Sequence, residues 1–192
     1  MPETNAAALD FLKTRRSRPA KTLTVPVPDR QQLRDLLTIA ARTPDHGKLE
    51  PWRFLVLEKK ALERLSSTVQ ARGDALGVDP DKVQKAVTQF ADADLAVAVI
   101  GCPKPSEKIP EIEQTLSTGA VCLALVNAAL ASGWGANWLS GWISHDRDWR
   151  ESNLGLMPHE WIAGFIHIGT ETSTPPERPR PDLDRITEWL DA

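Results

Sequence analysis

The chain contains no tyrosine, against seven tryptophans and four phenylalanines in 192 residues. It has two cysteines, Cys102 and Cys122, with apolar flanks. That is too few for a disulfide framework and points to a reducing compartment. Basic charge is not in excess: 23 Lys and Arg stand against 26 Asp and Glu, a net of −3. A general nucleic-acid or anionic-membrane binder would show a basic surplus or stripe, so neither partner is expected. The longest apolar run, Gly119 to Ala131, is 13 residues and includes Asn127. A membrane span needs about 20, so the run predicts a buried helix. No basic, then apolar, then small-residue leader opens the chain, and a cytoplasmic location is expected.

Several chemistries lack their signatures. The four histidines and two cysteines have no ligand spacing, so no metal is expected. Gly133-x-Gly135 begins a dinucleotide fingerprint, but Trp138 stands where its third glycine belongs. His159-Glu160 begins a zinc-protease helix, but Ala163 occupies the place of the second histidine. No phosphate-loop pattern occurs, and no serine sits in a strand–turn–helix elbow. No catalytic acid–base pair is visible, so an enzyme built on this chain takes its chemistry from a cofactor.

What is present reads as alternating helices and strands. An amphipathic helix from about Asn5 to Lys13 is followed by Pro19, and Asp29 caps a second whose apolar stripe is Leu33, Leu36, Leu37, Ala40 and Ala41. Phe54–Leu57 is a short strand, followed by helices near Ala61–Arg72 and Asp81–Phe90 with Gly73, Gly77 and Pro80 as breakers between them. Leu95–Ile100 and Trp161–Ile168 are continuous apolar runs, as in strands covered on both faces. The helix from about Ile112 to Ala131 is the longest element and should be the buried centre of the fold. A strand-like piece, Ala136–Leu139, a capped helix from Asp146 to Asn153 and a proline-rich arm at 171–181 complete the chain. The expectation is one domain over residues 1–192, with helices on both sides of a small mixed sheet.

Three polar segments stand out. Arg15-Arg16-Ser17-Arg18 follows the first helix. Arginine suits a helix C-terminus, but three in four residues beside a hydroxyl also suit a phosphate. The pattern serves equally as a solvated helix end or as an anion site. The loop from Arg42 to Trp52 carries Arg42, His46 and Lys48 between Pro44 and Pro51. It is either a ligand edge or a surface connection anchored by Trp52. Gly133 to Trp142 packs three glycines among Trp134, Trp138 and Trp142, so backbone and indoles can enclose a flat ring, or the indoles simply fill core.

Arg15-Arg16-Ser17, Pro44-Asp45-His46, Pro51-Trp52-Arg53-Phe54, Gly133-Trp134-Gly135 and Pro176-x-Arg178-x-Arg180-Pro181 occur in that order. In this the chain resembles the nitroreductase family of flavin enzymes nearly end to end, and most closely its compact subgroup. The resemblance implies an α+β homodimer with one FMN at each of two sites on the subunit interface. It implies that Arg15, Arg16 and Ser17 hold the phosphate and ribityl chain, joined at the phosphate by Arg178 and Arg180. It puts Arg42 and His46 near the flavin and its pyrimidine ring, and Trp138, Leu139 and Ser140 beside the isoalloxazine. It implies NAD(P)H as electron donor, a ping-pong cycle, and nitroaromatic, quinone-like or related small substrates, with no catalytic side chain beyond the flavin. Two departures stand out: Glu50 where many members have Gln, and Leu139 where the compact subgroup has Arg. The residues also leave room for a flavin-binding storage or sensing protein, or for a flavin-free interaction domain.

Overall fold

A computed structural model describes residues 3–191. Its architecture follows from how the apolar runs alternate. In β3 (Leu95–Gly101) every residue is buried. Leu95, Val97 and Val99 join one core, while Ala96, Ala98 and Ile100 join another on the opposite face. Helices therefore cover both sides of the sheet. On the first side lie α2 (Arg30–Ala40), with Leu33, Leu36 and Ala40 buried, and α5 (Glu111–Ala131), with Val121, Cys122, Leu125 and Val126. On the second lie α3 (Lys59–Leu76), α4 (Pro80–Ala91) and α7 (Arg147–Leu154). There Phe90 meets Phe165 edge-on at 5.1 Å and Trp149 at 5.9 Å.

The strand order is β1-β5-β3-β2, from β1 (Leu23–Thr24), β2 (Trp52–Glu58), β3 and β5 (Trp161–Glu171), with β4 (Gly135–Leu139) also on β5. All the pairings among the described residues are antiparallel, so the sheet is not the mixed one expected. The reason lies in the β2–β3 connection. Two helices, α3 and α4, turn the chain back twice, so β3 runs against β2 where a single crossover helix would make them parallel. Gly73 is likewise no breaker. It lies inside α3, buried, where a Cβ would press on the Val83 methyl groups of α4. A short helix α6 (Trp142–His145) and another, α8 (Leu183–Ile186), are additions to the expected elements.

Capping agrees with the sequence. Asn5 caps α1 (Ala6–Thr14), and Asp29 forms a capping box with Gln32. Among the described residues, α5 alone is long and apolar enough to cross a membrane. It packs instead as the core helix against α2 and the sheet, yet Ile112, Leu116 and Leu123 remain exposed, so its burial is one-sided. Helix α1 has no buried residue, and the arm after β5 is exposed except at the half-buried Pro175.

Cys102 and Cys122 are free and buried, and burial raises their thiols to about 11 and about 12. An ion pair with a buried carboxylate links β2 to the start of β5. Arg53 of β2 donates from Nε and Nη2 to the two Glu160 carboxylate oxygens, each at 2.7 Å, and Glu160 also accepts from the Met157 backbone at 2.9 Å. Those hydrogen bonds, led by Arg53, lower the Glu160 pKa from 4.5 to about 2. Its contribution to stability is therefore complete above about pH 4.5 and is lost as pH falls toward 2. Glu160→Gln should destabilise the protein by about 2–4 kcal/mol at neutral pH, the low side because Arg53 keeps some solvent. In urea titrations the gap between variant and wild type should close as pH falls through that window; a gap independent of pH would contradict the assignment.

Candidate functional site

Helix α1 ends at Thr14, and Arg15 to Arg18 run beside β4. The Arg18 backbone N–H donates to the Ala136 carbonyl at 2.8 Å, and the Asn137 amide donates to the Arg18 carbonyl at 2.7 Å. The arginine segment is thereby clipped to the strand that follows α5. A cavity of about 270 Å³ opens there, lined by Phe11, Arg15, Arg16, Leu130 and Trp134 among others.

The cations at this end are unequally matched. Arg18 pairs with Glu171, and Arg180 reaches Glu177 at 2.8 Å, so the C-terminal arginines have an acidic neighbour of their own. Arg15 donates to the Ser17 hydroxyl at 3.1 Å, while its buried Nε has no partner, and neither has Nε of Arg16. Burial, then the charges of Arg180, Arg16 and Arg18, presses the Arg15 guanidinium below its ordinary value. The backbone N–H of Arg178, then Arg180 and Arg16, lowers the Glu177 carboxyl. The structure thus brings Arg15, Arg16 and Arg180 into one electrostatic neighbourhood from opposite ends of the chain, while Arg178 enters it only through its backbone N–H to Glu177. Like charges gathered with buried donors unpartnered make a binding place for an anion.

A second cavity, of about 370 Å³, lies beyond the clip. Pro19 and Ala20 form one wall, Asn137 and Leu139 another, Lys85 and Gln89 of α4 a third, and His167 the floor. Successive side chains of a strand alternate, so β4 divides the expected residues. Leu139 faces this cavity. Trp138 lies on the other face over Gly164, where any Cβ would overlap the indole, and its Nε1 donates to the Ala163 carbonyl at 3.0 Å. Ser140 is exposed just beyond the strand.

Arg42 and His46 line neither cavity. Arg42 is exposed past the end of α2, and His46, also exposed, meets Glu113 of α5 at 2.7 Å. Their loop is strained: Gly47, Lys48 and Glu50 all have positive φ, at 73°, 55° and 48°. The Asp45 carboxylate holds it by accepting from the Leu49 and Glu50 backbone at 2.6 and 3.3 Å. Non-glycine residues held this way cluster at functional sites. Sequence reasoning missed Lys85, Gln89, Asn137 and His167. The one available signal was His167, a titratable side chain inside an otherwise apolar strand.

The fold is thus an α+β arrangement with two cavities flanking the Arg18 clip, one lined by arginines and the other walled by the 19–20 turn, β4 and α4. The Nitroreductase family model matches residues 12–170, and the chain belongs to that family. YdjA of Escherichia coli (strain K12), named as a candidate NAD(P)H nitroreductase, is 34% identical over 163 residues, 85% of this chain and 87% of YdjA. Among solved structures, a nitroreductase-like family protein from Bacillus cereus superposes with TM-score 0.80 at 21% identity over the whole of both chains. The FMN-dependent nitroreductase NfnB of Mycobacterium smegmatis, solved with NADPH, gives 0.75 at 18% identity, covering 96% of this chain and 98% of NfnB.

The strained loop gives a test independent of any ligand. Glu50→Gly removes one left-handed non-glycine residue and should stabilise the protein by a net of about 0.5–1 kcal/mol. A urea midpoint unchanged or lowered would show that the loop is relaxed by contacts of Glu50.

Proposed function

We propose that the protein is an FMN-dependent oxidoreductase that draws electrons from NAD(P)H and passes them to small oxidised substrates, nitroaromatic or quinone-like, in a ping-pong cycle. The observation that carries this reading is the pair of buried, unpartnered guanidinium nitrogens of Arg15 and Arg16 at a cavity of about 270 Å³, with the cavity of about 370 Å³ beyond the Arg18 clip. The residues present fit FMN: a phosphate suits the arginines, and a ring suits the largely apolar walls at Pro19, Ala20 and Leu139. When bound, FMN supplies the redox chemistry, accepting a hydride from the nicotinamide and yielding electrons to the oxidant.

The chain's own groups bind, orient and exclude water. Arg15, Arg16 and Ser17 hold the phosphate end with Arg178 and Arg180, the latter exchanging Glu177 for the ligand. Leu139 and Ser140 border the ring, with Trp138 fixing their strand from behind. In one protomer the tryptophans do not close the cavity, because Trp138 is tied to Ala163 and Trp142 donates to the Lys82 carbonyl at 3.4 Å. That access favours turnover over storage or sensing.

A homodimer completes the reading. Leu9 and Leu12 of α1, Leu116 and Leu123 of α5, and Trp189 and Leu190 of the arm, the last two about nine-tenths exposed, are apolar surface without cover in one copy. A second copy laid on α5 would bring Arg42 and His46 toward the interface, where the flavin sites are placed in this proposal. Two free buried thiols suit a cytoplasmic setting.

Addition of NADH or NADPH should bleach the visible flavin band of the purified protein, and failure with both would end the reductase reading. In the Arg15→Ala/Arg178→Ala double variant, FMN affinity should fall by about 10²–10⁴ while riboflavin affinity barely changes, from two charge-assisted hydrogen bonds. Equal losses for both ligands would assign the arginines to the fold or the ring. Light scattering should give a dimer at micromolar concentration; a flavin-loaded monomer would refute the interface.

A further inference from the structure

His167 is the one polar member of the buried stretch Ile162–Ile168, apart from backbone groups. It is 2% exposed, and neither Nδ1 nor Nε2 has a hydrogen-bond partner. Native proteins rarely leave such a side chain unsatisfied. Burial pushes its pKa from 6.5 down to about 4, so the ring is neutral, with one donor and one acceptor nitrogen.

Two spaces adjoin it. A void of about 10 Å³ near Thr24 and Asp94 is at the lower limit of the space a single water needs. The other space is the cavity of about 370 Å³, whose α4 wall carries a second orphan: the buried Nε2 of Gln89 also lacks a partner. An imidazole and a carboxamide, both neutral and both able to donate and accept, thus line one cavity with unmet hydrogen bonds. Lys21, Lys85 and Asp92 line the same cavity, but none of them pairs with the imidazole or the carboxamide, so this neutral donor and acceptor set stays open. It suits the edge of a planar heterocycle on which carbonyl oxygens and ring nitrogens alternate.

We propose that His167, with Gln89 on the neighbouring wall, hydrogen-bonds the pyrimidine edge of the flavin ring and so fixes its register in the cavity. The inference rests on the flavin reading above and adds to it a residue that holds the ring itself. A donor at that edge is worth more once the edge gains electron density. His167 therefore also favours the reduced flavin.

The experiment titrates FMN, riboflavin and lumiflavin, which has the ring without ribityl or phosphate, into flavin-free full-length protein. Wild type, His167→Leu and His167→Asn are compared, and the midpoint potential of bound FMN is measured in each. His167→Leu should weaken all three ligands by a common factor of about ten, the loss of one hydrogen bond. It should also move the midpoint potential to more negative values, and His167→Asn, which keeps a donor and an acceptor, should recover most of both. In ¹⁵N-labelled wild type, the ring-nitrogen signals of His167 should shift on adding lumiflavin, a reading that needs no variant to fold. Lumiflavin affinity and midpoint potential unchanged in His167→Leu, or ring signals that do not move, would overturn the inference and leave flavin binding intact. A wild type that binds none of the three flavins would instead overturn the functional reading, and this inference with it.

Discussion

The fold depends on the register of β5. This eleven-residue strand pairs with β3 along one edge and with β4 and then β1 along the other, so it fixes three neighbours at once. Strand side chains alternate with period two, and a slip of one residue would exchange the faces of the whole element. His167 would then enter the α2–α5 core, and Ile166 and Ile168 would point at the cavity. Glycine at 164 contributes to the same alignment, because a Cβ there would overlap the Trp138 indole packed over it.

Charge is arranged with equal economy. The chain is slightly acidic overall, yet its carboxylates are not spread evenly over its arginines. Glu171 takes Arg18, Glu160 takes Arg53, and Asp146 with Asp148 takes Arg72. Those pairs are structural, and they leave Arg15 and Arg16 with buried nitrogens unmatched. An exposed, sequence-local contact between Arg180 and Glu177 is weak in water. It is a contact that a phosphate can displace, which a buried carboxylate at the same place would prevent.

Much of this was legible in the sequence. Apolar runs at 95–100 and 161–168 reported two-sided burial because aliphatic side chains on both strand faces need cover, and the caps at Asp29 and Asp146 carry their own local chemistry. The arginine clusters could be paired across the chain only through the family resemblance. Strand direction was not legible, since it depends on how α3 and α4 pack and not on any residue within β2 or β3. Gly73 misled for a related reason: a glycine chosen for close helix approach looks the same as one chosen to end a helix. The α4 wall escaped notice because Lys85 and Gln89 look like ordinary solvated positions until the turn at 18–20 is laid over them. Trp138 and Leu139 were grouped by adjacency, and the pleat separates them.

The clip between Arg18 and β4 has a mechanical meaning. Two hydrogen bonds, one backbone to backbone and one through Asn137, make the arginine segment and the Leu139 wall move as a single piece. The site therefore resembles a caliper locked at one opening more than a pair of independent jaws. A ligand gripped at the anionic end has its flat end delivered at a set depth, with little further ordering to be done on arrival. On the proposed reading, molecules of different length between those two ends would meet the same fixed gap, so the spacer joining anion and ring would itself be selected.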